Sequence, residues 1–261
     1  PGGFWFERQQ MNAEKAIFHQ WEMLEATRCI DNFRIAAGIK EGFREGYFFA
    51  DSDAYKWLDA ASRILANNES PRLKGLVDEF IGILEKAQCE DGYLYTYNQI
   101  HFGSTRWKNL QIEHEFYCLG HLIEAGISHK KATGEDKLFA IVKKAANLLV
   151  SEFFESPAKF TDGHEEIEIA LIRLSRFTGA TKYRDLAQRF LERRGKIPGY
   201  GLHFGAQFLS SVARMNNVAA KKWQYYKTRG GSSSFRLPAH NKHRIPKLMP
   251  LRFASSVLSG K

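Results

Sequence analysis

Apolar side chains recur every three to four positions along most of this chain, the period of half-buried helices. Between residues 54 and 65 they fall at Ala54, Trp57, Leu58, Ala61, Ile64 and Leu65, with Lys56, Asp59 and Arg63 off that stripe. Ser70-Pro71 then offers an N-cap followed by a proline at the first helical position. Behind it Leu73, Leu76, Val77, Phe80, Ile81, Leu84 and Ala87 form a second stripe, which stops before the turn signal Asp91-Gly92. A third helix is predicted over Ile112 to Lys131, ending at Thr133-Gly134. A fourth carries Leu138, Ile141, Val142, Ala145, Leu148 and Leu149 on one side. Glu165 to Phe177 and Tyr183 to Glu192 repeat the design, with Thr178-Gly179 between them.

Two of these hairpins echo each other. Ala132-Thr133-Gly134 and Phe177-Thr178-Gly179 each close one helix before a lysine-led second, and they stand 45 residues apart. Such a period marks stacked helix pairs, which build either an open solenoid or a closed ring. The connections are rich in aromatic and polar residues, as in residues 42–49 and 91–97. Those side chains suit sugar rings, with their apolar faces and polar edges. They equally suit sealing the ends of helix pairs.

The texture changes after Gly195. All 29 acidic residues lie at or before Glu192, whereas residues 195–261 carry 12 lysines and arginines and no acid. The net charge of +9 therefore belongs to the last quarter, and the body is slightly acidic. Residues 230–234 read as a linker, and His240 to Lys247 as basic and broken by Pro246. His203 to Trp223 has the rough register of one more helix. The expected organisation is a helical domain over 1–195 and an irregular, divergent or disordered basic tail over 196–261. The abrupt break favours a foreign ending over a nucleic-acid arm, so neither nucleic acid nor a membrane is an expected partner. No apolar run reaches the roughly 18 residues of a membrane span. Three scattered cysteines, Cys29, Cys89 and Cys118, give no disulfide framework and make a reducing, cytoplasmic setting the default. The chain starts without methionine, which leaves a targeting segment open.

Candidate chemistry is sparse. His114 and His164 stand where loops run into helices, where a neutral imidazole can bond a hydroxyl or simply cap the helix. His114, Cys118 and His121 share one helix face at zinc-type spacing, although packed core residues explain that pattern more readily. Glu165, Glu166 and Glu168 offer carboxylates for acid–base work, or for compensating a helix dipole. The chain has no Gly-rich phosphate loop, no Gly-x-Ser-x-Gly and no His-Glu-x-x-His.

Taken together and in order, several stretches resemble the β-L-arabinofuranosidase family of glycoside hydrolases, family 127. They are residues 19–22, 29–38, 51–57, 91–97, His114-Glu115-Phe116-Tyr117-Cys118-Leu119-Gly120-His121-Leu122-Ile123-Glu124-Ala125, and Gly163-His164-Glu165-Glu166-Ile167-Glu168. The resemblance covers about residues 4 to 195. It implies an all-α fold, part of an (α/α)6 toroid, in which Gln20, His114 and His164 contact an arabinofuranose. It also implies a retaining mechanism in which a zinc-bound cysteine thiolate attacks the anomeric carbon and a glutamate assists. The family's nucleophile and its metal ligands lie beyond the point where this chain leaves the pattern. Cys29, Cys89 and Cys118 do not match them, so no catalytic or metal-ligating residue is assigned here. Zinc is expected only in full-length relatives. The expectation is a truncated, inactive, sugar-binding portion of the toroid. The alternative is a non-catalytic helical scaffold with a basic arm.

Overall fold

The computed structural model describes residues 2–229, and among them every regular element is helical. The linker-like 230–234 and the basic 240–247 fall outside the described residues. The chain divides into two compact units, Pro1–Ala219 and Ala220–Lys261.

The first unit opens with α1 (Phe4–Met11), a π-helical turn (Asn12–Ala16) and α2 (Ile17–Ala26). Arg28, held in the left-handed region at φ 64°, turns the chain into α3 (Cys29–Ala36). Then come α4 (Asp51–Leu65), α5 (Pro71–Ala87), α6 (Thr96–His101), α7 (Leu110–Glu113), α8 (Glu115–Thr133), α9 (Lys137–Phe153), α10 (Glu166–Thr178), α11 (Thr181–Arg193) and α12 (Tyr200–Thr228). Four hairpins, α2–α3, α4–α5, α8–α9 and α10–α11, stack in order. Their first members make one row, with α2 on α4, α4 on α8 and α8 on α10. Their second members make another, with α3 on α5, α5 on α9 and α9 on α11. Two concentric rows of this kind form the sector of an α/α toroid.

The predicted stripes are the buried faces. Trp57, Leu58 and Ala61 of α4 and Leu73, Val77, Phe80 and Leu84 of α5 are all buried. Each large side chain so placed stabilises the fold by about 1.5–3 kcal/mol. Rings from four helices of two hairpins meet there: Trp21 lies 4.5 Å from Trp57, and Phe33 lies 5.2 Å from Phe80. Ser70 caps α5 as its sequence implies, its hydroxyl accepting from Leu73 N–H at 3.3 Å.

The echo at 45 residues is one structure made twice. Gly134 and Gly179 both sit at φ 75° and close α8 and α10 through their N–H groups, to Lys130 O at 3.0 Å and Ser175 O at 2.8 Å. The threonine before each donates to the carbonyl four residues back, His129 at 2.9 Å and Leu174 at 2.8 Å. Each also accepts from the N–H two residues on, Glu135 at 3.1 Å and Ala180 at 3.2 Å.

Two expectations need correction. The irregular tail does not begin at residue 196: α12 runs from Tyr200 to Thr228, longer than the predicted His203 to Trp223. Its first half carries buried Gln207, Ser211 and Arg214, and the stretch holds no proline to interrupt it. Absence of acids biases charge and leaves helix formation intact. The helix predicted from Ile112 is also broken, because His114 adopts φ 62° and separates α7 from α8.

Glycine conformation allows a graded test. A Cβ at Gly134 would meet no neighbour, so Gly134→Ala should cost about 1–2 kcal/mol from its left-handed backbone alone. At Gly92, φ 103°, the same Cβ would also lie 2.6 Å from the Lys144 carbonyl. Gly92→Ala should therefore cost more, about 2–4 kcal/mol. Urea unfolding giving the two variants equal midpoints contradicts this packing.

Candidate functional site

The two histidines singled out in the sequence meet. His114 Nε2 and His164 Nε2 are 2.7 Å apart, with ring centroids at 4.4 Å. The tautomers follow from one neighbour. His114 Nδ1 lies 2.5 Å from the Ile112 carbonyl, which only accepts, so Nδ1 carries the proton. His114 Nε2 is then a lone pair, and the proton in the shared bond belongs to His164 Nε2. That leaves His164 Nδ1 as an acceptor on an exposed ring. Burial lowers the His114 pKa, against the Ile112 hydrogen bond, which raises it, and the nearby Lys56 charge adds to the lowering, which favours the neutral ring.

Aromatic rings surround the pair. Phe48 and Phe49 lie 5.2 and 5.5 Å from the His114 ring, and Tyr117 lies 5.1 Å from the His164 ring. Lys56 donates to Tyr117 Oη at 2.8 Å. One turn along α8, His121 meets Tyr117 edge-to-face at 4.5 Å and faces Glu166 Oε1 at 3.3 Å. Gln20 is exposed on α2 and does not join the His114–His164 contact.

Buried polar groups fix the backbone that carries these rings. Glu113 and Glu115, on either side of His114, are fully buried. Glu115 accepts from Tyr93 Oη at 2.5 Å and Trp107 N–H at 2.9 Å, and burial pushes its carboxyl up to about 7. Glu113 accepts from Asn109 Nδ2 at 3.0 Å and pairs with Arg214 of α12 at 3.1 Å. Arg214 also donates to Thr105 Oγ1 at 2.8 Å and covers the Phe102 ring at 3.8 Å. The His164 loop is tied down by Asp162, which accepts from Tyr117 N–H at 2.7 Å, and by Arg194, which donates to Asp162 O at 2.9 Å and His164 O at 2.6 Å. Arg194 in turn rests on buried Glu168 at 2.8 Å. The 42–50 loop is locked by Arg44 and Asp51, both buried. Asp51 accepts from Thr96 N–H and Oγ1 at 2.6 Å each, while Arg44 donates to Asp51 at 3.3 Å and Thr96 at 3.0 Å.

Most of these supports were not legible in the sequence. Arg44, Asp51, Glu113, Asp162, Arg194 and Arg214 find partners far along the chain, and no local spacing marks them. Of the three glutamates that were marked, Glu165 is exposed, Glu168 holds Arg194, and Glu166 approaches His121.

The zinc-type face does not assemble. His114 is occupied by Ile112 and His164, and Cys118 points its thiol toward Phe49 O at 3.9 Å. Cys29 likewise donates to Ala50 O at 3.2 Å. Burial pushes both thiols above their ordinary range, the reverse of a metal-held thiolate. These cysteines do not fit the sulfur-bound zinc that the family implies.

A two-row helical sector with imidazoles and aromatic rings gathered at helix N-termini is the construction of an α/α-toroid carbohydrate-active protein. The chain belongs to glycoside hydrolase family 127: residues 2–246 match the model of the β-L-arabinofuranosidase GH127 catalytic domain, past the boundary expected near residue 195. It is 33% identical over 222 residues to the non-reducing end β-L-arabinofuranosidase of Bifidobacterium longum subsp. longum, covering 76% of this chain and 34% of that protein. It resembles the crystal structure of a GH127 β-L-arabinofuranosidase from Geobacillus stearothermophilus T6, with TM-score 0.75, 34% identity, and coverage of 90% of this chain and 35% of that one. A second GH127 β-arabinofuranosidase structure aligns with TM-score 0.70 and 34% identity, covering 76% of this chain and 33% of that one. The chain thus spans about a third of the length of these relatives.

The Glu166–His121 contact has a pH signature. Burial raises the Glu166 carboxyl from 4.5 to about 7 and lowers His121 from 6.5 to about 4. The stability from Glu166 is full below pH 4.5 and is lost as pH rises through 7. That from His121 is full above 6.5 and is lost as pH falls through 4. Glu166→Gln removes only the first dependence. Its melting temperature should exceed that of the parent protein at pH 8 and lose that advantage at pH 4.5; an equal difference at both pH values contradicts the assignment.

Proposed function

We propose that this chain supplies the sugar-gripping part of a GH127 catalytic domain, and that on its own it binds a β-L-arabinofuranoside-type sugar without cleaving it. The observation that carries this reading is the His114–His164 hydrogen bond, set among Phe48, Phe49 and Tyr117. The bonded chain runs from the Ile112 carbonyl through both imidazoles and ends at His164 Nδ1, a lone pair able to accept a sugar hydroxyl. The aromatic faces suit the C–H side of the ring, and the exposed Gln20 amide on α2 is assigned to the same sugar by family resemblance. His114 and His164 are binding residues in this account, since neither is activated by a carboxylate partner.

Cleavage by the family's route needs a thiolate held by zinc, and the buried thiols of Cys29 and Cys118 do not supply one. Titration of methyl β-L-arabinofuranoside, followed by saturation-transfer NMR, should show binding to the full chain. His164→Ala should weaken it by about tenfold, the order of one hydrogen bond to a polar partner. p-Nitrophenyl β-L-arabinofuranoside should give no turnover above a heat-killed control, with or without zinc. Binding indifferent to His164 ends the subsite assignment; clear turnover ends the claim of binding alone.

A further inference from the structure

We propose that Asp78, His129 and Glu135 form a site for one divalent transition-metal ion, zinc by chemistry, whose place the Lys74 ammonium fills when the ion is absent. One ligand atom from each of the three lies within 4.8 Å of the others. Asp78 lies on α5, His129 near the C-terminal end of α8 and Glu135 just past its Gly134 cap. His129 stands 15 residues after His114 on α8, about 22 Å along the helix axis.

The independent sign of a ligand is His129. Its ring is fully buried, yet neither Nδ1 nor Nε2 has a hydrogen-bond partner. Buried polar atoms are normally bonded, and an imidazole left without partners beside two carboxylates is short of a cation or a donor. Its pKa is lowered by burial, which favours the neutral ring that a metal requires. The carboxylates already gather positive charge, with Lys74 Nζ 2.7 Å from Asp78 Oδ2 and 3.0 Å from Glu135 Oε1. Lys74 pairs with both acids, while neither His129 nitrogen has a hydrogen-bond partner. A metal ion satisfies all three together. One imidazole, two carboxylates and water make a four-coordinate set suited to zinc. Asp78, Glu135 and Lys74 are all exposed enough to adjust: the acids can close toward about 2 Å from the ion, and the lysine can turn out to solvent.

The test uses the full chain, stripped with EDTA and titrated with zinc by calorimetry, with cobalt absorption as a second readout of coordination. One equivalent should bind and raise the melting temperature. Glu135→Gln and Asp78→Asn, both at exposed positions, should each weaken zinc binding by at least about tenfold, as should His129→Gln where it folds. Lys74→Ala removes the competitor and should tighten binding. Absence of stoichiometric zinc binding, or zinc binding untouched by Glu135→Gln and Asp78→Asn, overturns the proposal. Weaker binding in Lys74→Ala overturns the role given to the lysine.

Discussion

A carboxylate withdrawn from water must find its hydrogen bonds inside the protein, and four such groups shape everything around His114. Asp51, Glu113, Glu115 and Asp162 are each at most 2% exposed. Between them they hold the backbone of Thr96, Trp107 and Tyr117 and the side chains of Tyr93, Asn109 and Arg44. Asp51 pairs with Arg44 and Glu113 with Arg214, and breaking such a buried charged pair by removing one partner costs about 3–5 kcal/mol. Groups that expensive to disturb impose one arrangement on the connections they touch. The left-handed backbone of His114, flanked by two of these acids, is the local consequence.

The helical rows serve as the frame for that arrangement. Each hairpin presents its N-terminal connections at the same end, so loops distant in sequence come side by side there. Residues 42–50, 91–115 and 161–165 meet because α4, α8 and α10 are neighbours in one row. Packing sets the neighbours, and buried polar bonds then set the rings within about half an ångström, the tolerance that specific recognition needs. The first half of α12 belongs to the same network, since Arg214 reaches Glu113 and Gln207 accepts from Gln111 N–H at 2.8 Å.

The sequence was readable where physics is local. The Leu73 to Ala87 stripe, the Ser70 cap and the paired Thr-Gly stops each depend on residues within one or two turns, and each stands as its pattern implied. His114 and His164 were marked by their place at loop-to-helix junctions and by family resemblance, whereas their contact spans 50 residues and no periodicity encodes it. The same distance hid the role of Asp51, marked only within a family-like stretch although it bonds Thr96 across 45 residues. Acid depletion after Glu192 was a true observation with the wrong structural consequence, because charge balance and helix propensity are separate properties. Glu166, open to acid–base work or to compensation of a helix dipole, meets a histidine on the neighbouring helix.

The most direct measurement is nitrogen-15 NMR of the imidazoles in the full chain, which reads the protonated nitrogen of each ring. The account requires His114 protonated on Nδ1 with a bare Nε2, and His164 protonated on Nε2 with a bare Nδ1. His114 found protonated on Nε2, or the two rings titrating independently as solvent-exposed imidazoles near pH 6.5, would show that the buried acids do not hold this pair together.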